Sequence, residues 1–504
     1  MRLRGFTVYD IFKRNAAIFK NRTAIQSENQ QITFKELFGQ VNVVAGWLNS
    51  KGVRKGDRIA ILAKNYPQFF PLMGGIAATG SIMVPINFRL STEEIAYNLS
   101  NTEPVMIVVD PDFEKTISDL RSICPWLREF VTFGPGGGHY TPFDSLLSGQ
   151  PIAPTPLSGD DPFVIMHTAA VQGKPRGALI SHNNLVLCTM QNIGIMGLTN
   201  QDAYLNILPL FHIAGLFGSL VMLHVGGKNI MISKFDPKLV LKTIQELKVT
   251  LIGDFPPILL QLLDEAAKGE YRLSSLKHVF GIELPETIKR FESLGHGQFW
   301  LVYGQTETMG LTSVCSNQER PGCAGKPGPL VDIKIIDEFD HDVETGKVGE
   351  ILVRGPLVFQ GYWGEEELSQ HTFRDDWHHT GDTGRLDEDG YLWFAGRKAE
   401  KELIKPGGEN VYPVEVEKVI LEHPGVYEVS VIGVPDPKFG EGIKAVCSLK
   451  PNAKLTEQEL IDFVAGRIAR YKKPGYVQFV DSLPKKEDGS IDRAKVKALY
   501  GSGR

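Results

Sequence analysis

Residues 57–86 read DRIAILAKNYPQFFPLMGGIAATGSIMVPI. Asp57–Leu62 ends in the apolar run Ile59-Ala-Ile-Leu62, with isoleucine at 59 and 61. Pro67–Thr79 is uncharged and mostly apolar and stops at Gly80, and Ile82–Ile86 is again short and β-rich. A strand, a helix and a second strand in one unbroken stretch describe a βαβ unit, because parallel strands need a crossover of about this length. The pattern continues outward. Phe34–Lys51 has helical spacing and ends before Gly52, Ser91-Thr-Glu-Glu opens a capped helix through Asn101, and Val105–Asp110 is a strand. After residue 160 the alternation resumes with strand 162–168, helix 181–195, strand 203–208, helix 214–224, strand 228–232, helix 236–247 and strand 249–252. Two doubly wound sheets joined by a Pro- and Gly-rich connector over 134–162 are expected.

From about 311 to 395 the texture changes to short strands (VDIKIIDE, GEILVRG, GYLWFAG) separated by Gly, Asp and Pro, the pattern of a small antiparallel β-barrel. A charged stretch, KAEKELIK, and PGG follow Arg397. Helix 413–423, strands 426–433 and 442–449, helix 456–470 and strand 476–480 then form an α+β pattern of their own. The expected class is α/β. A large N-terminal domain, 1–396, holds two doubly wound sheets and the barrel; a smaller α+β domain occupies 397–504.

Composition limits the function. The 504 residues are 42% hydrophobic and 22% charged, with 54 Lys plus Arg against 59 Asp plus Glu, a net charge of −5. Nothing in that balance suits nucleic acid or an anionic membrane as the main partner. Ala203–Gly227 and Asn65–Phe88 carry no charged residue, yet prolines and glycines break both, so buried core elements are expected and no transmembrane segment. The 5 cysteines (Cys124, Cys188, Cys315, Cys323, Cys447) are odd in number and scattered, which suits buried thiols in a reducing compartment rather than a disulfide framework. The N-terminus lacks a signal-peptide apolar core, so the expected location is cytoplasmic. The 52 glycines hint at tight turns and close backbone–ligand approaches.

Four segments carry chemistry. His167–Gly177 offers two glycines and two cations in a loop suited to a polyphosphate, though GxxxxGK[ST] is absent from the chain. Tyr303-Gly-Gln-Thr-Glu-Thr308 ends a buried strand, where ligands bind in open α/β sheets. There Tyr303 could stack on a base, Thr306 donate to phosphate, and Glu307 hold Mg²⁺ through hard oxygen. Asp382, after Thr380-Gly381, suits a vicinal diol, and Arg397 supplies a rigid fork for phosphate or ribose oxygens. Pro406-Gly-Gly-Glu-Asn410 allows close backbone approach.

These four motifs, in this order and together with LPLFHIAG at 208–215, resemble the acyl-CoA synthetases of the adenylate-forming, AMP-binding superfamily. The resemblance spans nearly the whole chain, from ITFKEL to IDRAKVKAL, and implies a fatty-acid–CoA ligase. A carboxylic acid reacts with Mg·ATP to give an acyl-adenylate and pyrophosphate; coenzyme A then displaces AMP. By matching positions, Thr168, Gly173, Lys174, Arg176, Gly281, Tyr303, Gly304, Gln305, Thr306, Asp382, Phe394 and Arg397 would bind ATP, and Glu307 would bind Mg²⁺. Thr306, Glu307 and His212 would be catalytic. His212, Gly215 and Gly304 would line the acyl pocket, and Gly407, Gly408 and Glu409 the coenzyme A channel. The C-terminal domain resembles a lid that pivots near Glu400 or Lys401 between the two half-reactions. A homodimer is compatible with this reading.

The chain departs from the family in three places. Residues 168–177 have lost three hydroxyl residues and one glycine of the usual phosphate loop. Ser490 stands where a tail lysine contacts the reacting carboxylate, and the segment between Arg397 and Gly407 is longer than usual, so Lys401 or Lys405 is expected to replace that charge. Gly281-Ile-Glu-Leu-Pro285 replaces the usual Gly-x-Ala-Pro, leaving Glu283 either on the pocket wall or on the surface. Phe211-His212-Ile213, where amino-acid-activating relatives have Asp, favours an uncharged tail. Two alternatives stay open: an aryl- or short-chain-acid ligase, and a degenerate nucleotide-binding homologue with little turnover.

Overall fold

The computed structural model describes residues 5–28, 30–168, 175–232, 234–397, 403–486 and 490–502. The opening stretch folds as read. Strand Arg58–Leu62, helix Phe69–Thr79 and strand Ile82–Pro85 form a parallel unit with Ile59 opposite Met83 and Ile61 opposite Pro85. The helix is buried at every residue. Gly74 and Gly75 permit this, since a Cβ at either would lie 2.3 or 2.6 Å from Val41 or Val44 on helix Phe34–Ser50.

The first sheet has seven strands in the order 141–142, 129–132, 106–109, 58–62, 82–85, 162–168, 176–181. The second has nine, in the order 326–327, 313–316, 298–303, 278–281, 251–254, 203–206, 228–231, 23–26, 31–33. Helix starts follow their caps: Ser91, Ser181, Asp236 and Thr456 each accept a hydrogen bond from the backbone N–H three residues on.

Three expectations are corrected. Strand 162–168 pairs with 82–85 and, antiparallel, with 176–181, so the divide between the sheets falls after Ser181 rather than at the connector. Strands 162–168 and 176–181 are antiparallel neighbours, so the expected phosphate loop connects two strands rather than a strand and a helix; its Gly173 and Lys174 lie outside the described residues. The connector itself adds edge strand Thr141–Pro142 and a 3₁₀ turn, Phe143–Ser148.

The small antiparallel unit has five strands, with Gly349–Arg354 and Trp377–Leu386 at its centre. The C-terminal unit builds a three-stranded sheet around its own core of Ile404, Val411, Ile420, Val431, Ala445, Leu460 and Val477. Among the described residues no helix is long and apolar enough to cross a membrane. Ala203–Gly227 instead forms a strand and the buried helix Ile213–Val225.

Two ion-pair groups join the C-terminal unit to the rest. Lys472, only 2% exposed, donates to Glu415 of its own unit at 2.5 Å and to Glu94, the capping-box carboxylate of helix Thr92–Thr102. Arg89 pairs with Glu409, and Asn87 reaches the same carboxylate at 3.5 Å.

Candidate active site

A cleft of about 1040 Å³ opens at the C-terminal ends of strands Leu251–Asp254, His278–Gly281 and Gln298–Tyr303, where the sheet leaves backbone groups and side chains facing outward. The C-terminal unit closes it with Leu403, Lys405, Gly408, Asn410, Tyr412 and Glu441.

At one end stands Asp382, on the long strand Trp377–Leu386. Arg397 Nε donates to its Oδ1 at 3.0 Å; Tyr303 O–H and Gln305 Nε2 donate to Oδ2 at 3.0 and 2.7 Å. A carboxylate offers about four lone-pair sites. With three taken, a bound diol finds one ready acceptor position here rather than two, and a second bond requires Arg397 or Tyr303 to yield. The Tyr303 and Phe394 rings lie 6.3 Å apart, and Arg397 sits over Phe394 at 5.7 Å, so aromatic and guanidinium planes frame a flat slot.

Glu307 is buried in a 3₁₀ turn (Thr306–Thr308), where Tyr362 O–H donates to Oε1 at 2.9 Å. No described side chain claims Oε2. No cluster of three or more acidic, His or Cys residues able to hold a metal exists among the described residues. One hard carboxylate fits Mg²⁺ when phosphates and water complete its shell, the usual arrangement for that ion.

His212 caps helix Ile213–Val225: its Nδ1 accepts from the Ala214 N–H at 3.2 Å. Burial, with Lys405 and Arg89 nearby, lowers its pKa to about 4. The ring is neutral, and with Nδ1 accepting, its proton resides on Nε2. Phe255 meets this ring edge-on at 5.9 Å.

Lys405 is buried in the cleft, its backbone N–H bound to Glu441 Oε2 at 2.7 Å. Burial and Arg397 lower its pKa to about 8, against the opposing pull of Asp382, Glu441 and Glu307. Gly408 presses on Phe255 at φ +85°; a Cβ there would stand 2.7 Å from the ring.

Of the expected residues, Thr168, Arg176, His212, Gly281, Tyr303, Gly304, Gln305, Thr306, Glu307, Asp382, Phe394, Arg397, Lys405 and Gly408 share this one cleft. Lys401 lies outside the described residues. Gly215 is not on the cleft wall: it sits inside the helix against the Pro209 carbonyl, 2.1 Å from where its Cβ would be. Gly407 and Glu409 flank the cleft; Gly407 N–H bonds to the Phe439 carbonyl, and Glu409 turns to Arg89. Glu283 is on the wall, its pKa raised by burial, and the wholly buried Asp254 beneath it is raised by burial and by Glu283 itself. Ser490 is exposed, and no described residue of 484–493 lines the cleft.

Sequence reasoning missed Tyr362, Tyr412 and Glu441. The only signal for Tyr362 was an aromatic pair after Gly361; Glu441 sits in an ordinary hairpin and reaches Lys405 only through the fold.

An open α/β sheet with a base-sized slot at its strand ends, covered by a second unit, is the architecture of a nucleotide-activating enzyme. Residues 12–363 match the family model for AMP-binding enzyme, and 415–490 that for its C-terminal domain. The chain belongs to the AMP-binding enzyme family. It is an AMP-forming acid–CoA ligase, a class that uses ATP and coenzyme A. It is 32% identical to an indoleacetate–CoA ligase of Aromatoleum aromaticum, over 96% of each chain. It is 32% identical to a feruloyl-CoA synthase of an Amycolatopsis, over 97% of this chain and 98% of that one. Against a long-chain-fatty-acid–CoA ligase of Bacillus subtilis the identity is 31%, over 97% and 94%. Among solved structures, a double mutant of Bacillus subtilis o-succinylbenzoate CoA synthetase bound with its product analogue OSB-NCoA superposes at a TM-score of 0.86, with 29% identity over 97% of each chain. The same synthetase in complex with AMP scores 0.71, with 29% identity over 97% and 98%.

Proposed function

We propose that this ligase activates an acid with an apolar aryl tail. The observation that carries the reading is the cleft, where His212, Glu307, Asp382, Arg397 and Lys405 converge on one end of an apolar space bounded by Ile213, Phe255, Phe280, Leu301 and Val302. Two relatives at 32% identity act on aryl acids by name, which supports the same choice. A fatty acid is the second reading, favoured by the Bacillus subtilis relative at 31%.

In the first step a carboxylate oxygen bonds to the α-phosphorus of ATP while the bond to the pyrophosphate oxygen breaks. Neutral His212 offers Nε2–H to the acid. The free Glu307 oxygen would hold Mg²⁺, which lowers the charge on the phosphates when bound. In the second step the coenzyme A thiolate attacks the acyl carbon and AMP leaves. Lys405 offers its ammonium to the α-phosphate, whose charge must be stabilised as AMP departs. The domain boundary is proposed at 396/397, in keeping with the separate core that starts at Ile404. The better superposition on the product-analogue complex than on the AMP complex supports assigning the observed lid orientation to coenzyme A transfer.

A panel of aryl, arylalkyl and fatty acids, read by pyrophosphate release with and without coenzyme A, tests the proposal. Turnover highest with aryl acids and dependent on coenzyme A for AMP release supports it. Preference for long alkyl acids, or adenylate formation without thioester, overturns it.

A further inference from the structure

Two cysteines lie outside the chemistry described so far yet border it. Cys315 is on strand Ser313–Ser316, opposite Leu301 of the neighbouring strand. Cys323 lies on the loop that returns to Lys326–Pro327. Their sulfurs are 3.2 Å apart, and both residues are buried. Each faces a different space. Cys323 is on the wall of the active-site cleft with Pro321, Gly322 and Ala324. Cys315 is on the wall of a second cavity of about 590 Å³, bounded by Trp300, Val314, Ser316, Glu319 and Lys326. The sulfur pair is thus part of the partition between two solvent-reachable cavities.

The surroundings favour reactivity at one sulfur. The two sulfurs share a hydrogen bond in which either can donate, and the Gly325 N–H donates to Cys323 Sγ at 3.2 Å; these contacts move the Cys323 pKa below the ordinary thiol range, while Cys315 is moved up. Burial and Asp387 act against the Cys323 thiolate, and Arg320 acts for it; Glu319 adds to the rise at Cys315. A low-pKa thiol with a resolving thiol beside it is the arrangement that oxidises reversibly.

We propose that Cys315 and Cys323 form a reactive dithiol that a small peroxide, entering by either cavity, converts to a disulfide in the wall of the substrate cleft. Cys323 thiolate attacks one peroxide oxygen and the O–O bond breaks, giving a sulfenic acid and, after protonation, water. Cys315 then attacks that sulfur, its proton leaving with the hydroxyl as a second water. Two thiols are oxidised and one peroxide is reduced. The sulfurs close from 3.2 Å to about 2.05 Å, which ties residues 317–323 to the strand beneath and redraws the cleft wall.

The test uses the full chain, reduced and then titrated with hydrogen peroxide. Intact mass is expected to fall by two hydrogens, peptide mapping to join the segments holding Cys315 and Cys323, and dithiothreitol to reverse both. A non-reacting acyl-adenylate analogue bound in the cleft is expected to slow the reaction by covering Cys323. Cys315→Ser, which leaves the cleft wall unaltered, is expected to keep thioester-forming activity and to gain oxygen on Cys323 instead of losing hydrogens. Oxygen addition in the unaltered chain, a bridge to another cysteine, or equal oxidation of Cys124, Cys188 and Cys447 would overturn the proposal. All these readouts are independent of which acid the enzyme prefers.

Discussion

Replacing Lys405 by Met and by Arg tests the charge at the reaction centre. Its pKa near 8, against an ordinary 10.5, corresponds to at most about 3 kcal/mol against the ammonium in the cleft. Burial supplies the largest part and Arg397 the next, and because the side chain borders the open cleft, solvent screening reduces the figure. The sign follows. The ammonium is present below pH 8 and is lost as pH rises through it; about 90% of the free enzyme carries it at pH 7 and about 10% at pH 9. If this charge stabilises the departing AMP, kcat/KM for thioester formation falls about tenfold over that interval, because kcat/KM reports groups of the free enzyme. Lys405→Met removes one preorganised donor, a loss of about 10² to 10³ in rate, and removes the alkaline limb with it. Lys405→Arg keeps its charge at every pH and flattens the limb even if misplacement lowers the plateau. The assay is kcat/KM for thioester formation with acyl-adenylate added at limiting concentration to free enzyme and coenzyme A, across the pH range, with each variant's fold checked by circular dichroism. A Met variant within about threefold of the parent that keeps the same alkaline limb would refute the assignment.

Asp382→Asn keeps the shape but weakens the bond from Arg397; charge-assisted bonds are worth about 1.5–3 kcal/mol, so kcat/KM for ATP is expected to fall about 10- to 100-fold. Steady-state kinetics with ATP varied checks it, and a loss confined to the acid's KM would contradict it. Glu94→Ala leaves buried Lys472 with Glu415 alone; losing one hydrogen bond to a charged group costs about 1.5–3 kcal/mol, which weakens the observed lid orientation. Coenzyme A transfer is expected to slow by at least tenfold while ATP–pyrophosphate exchange holds, and an equal fall in both would show general destabilisation instead. Gly408→Ala forces a Cβ toward Phe255 at a left-handed φ, a conformational penalty of about 1–2 kcal/mol before the clash. The thioester step is expected to drop at least tenfold, measured by the same kcat/KM assay.

What the sequence made legible follows from how local each signal is. The unit at 57–86, the cap at Ser91, the helix starts at Ser181, Asp236 and Thr456, and the motifs at 303–308 and 380–397 were readable because each depends on neighbours in the chain. The hairpin Thr23–Gln26 and Gln31–Thr33 was not, because it docks on Lys228–Met231, and no local pattern names a partner so distant. Strand 162–168 was read correctly but given to the wrong sheet for the same reason: register with Met83 is a tertiary fact.

The site shows the same limit in a sharper form. Asp382 was legible as a carboxylate for a ligand, but not that Arg397, Tyr303 and Gln305 already occupy most of it. Lys405 was legible as one of two lysines, with Lys401, expected to replace the missing tail charge, but nothing local in KAEKELIK chose between them. Only closure of the C-terminal unit buries Lys405 against Arg397 and shifts its titration into the working pH range. Ser490, where the family's charge is missing, stays exposed and off the cleft. A charge lost from one side of a rotating domain and a buried lysine gained on the segment that enters the cleft are compensatory only if Lys405 acts on the same phosphate. ATP–pyrophosphate exchange by Lys405→Met decides that point: a fall in exchange is expected if Lys405 replaces the lost charge, and unchanged exchange would refute the compensation.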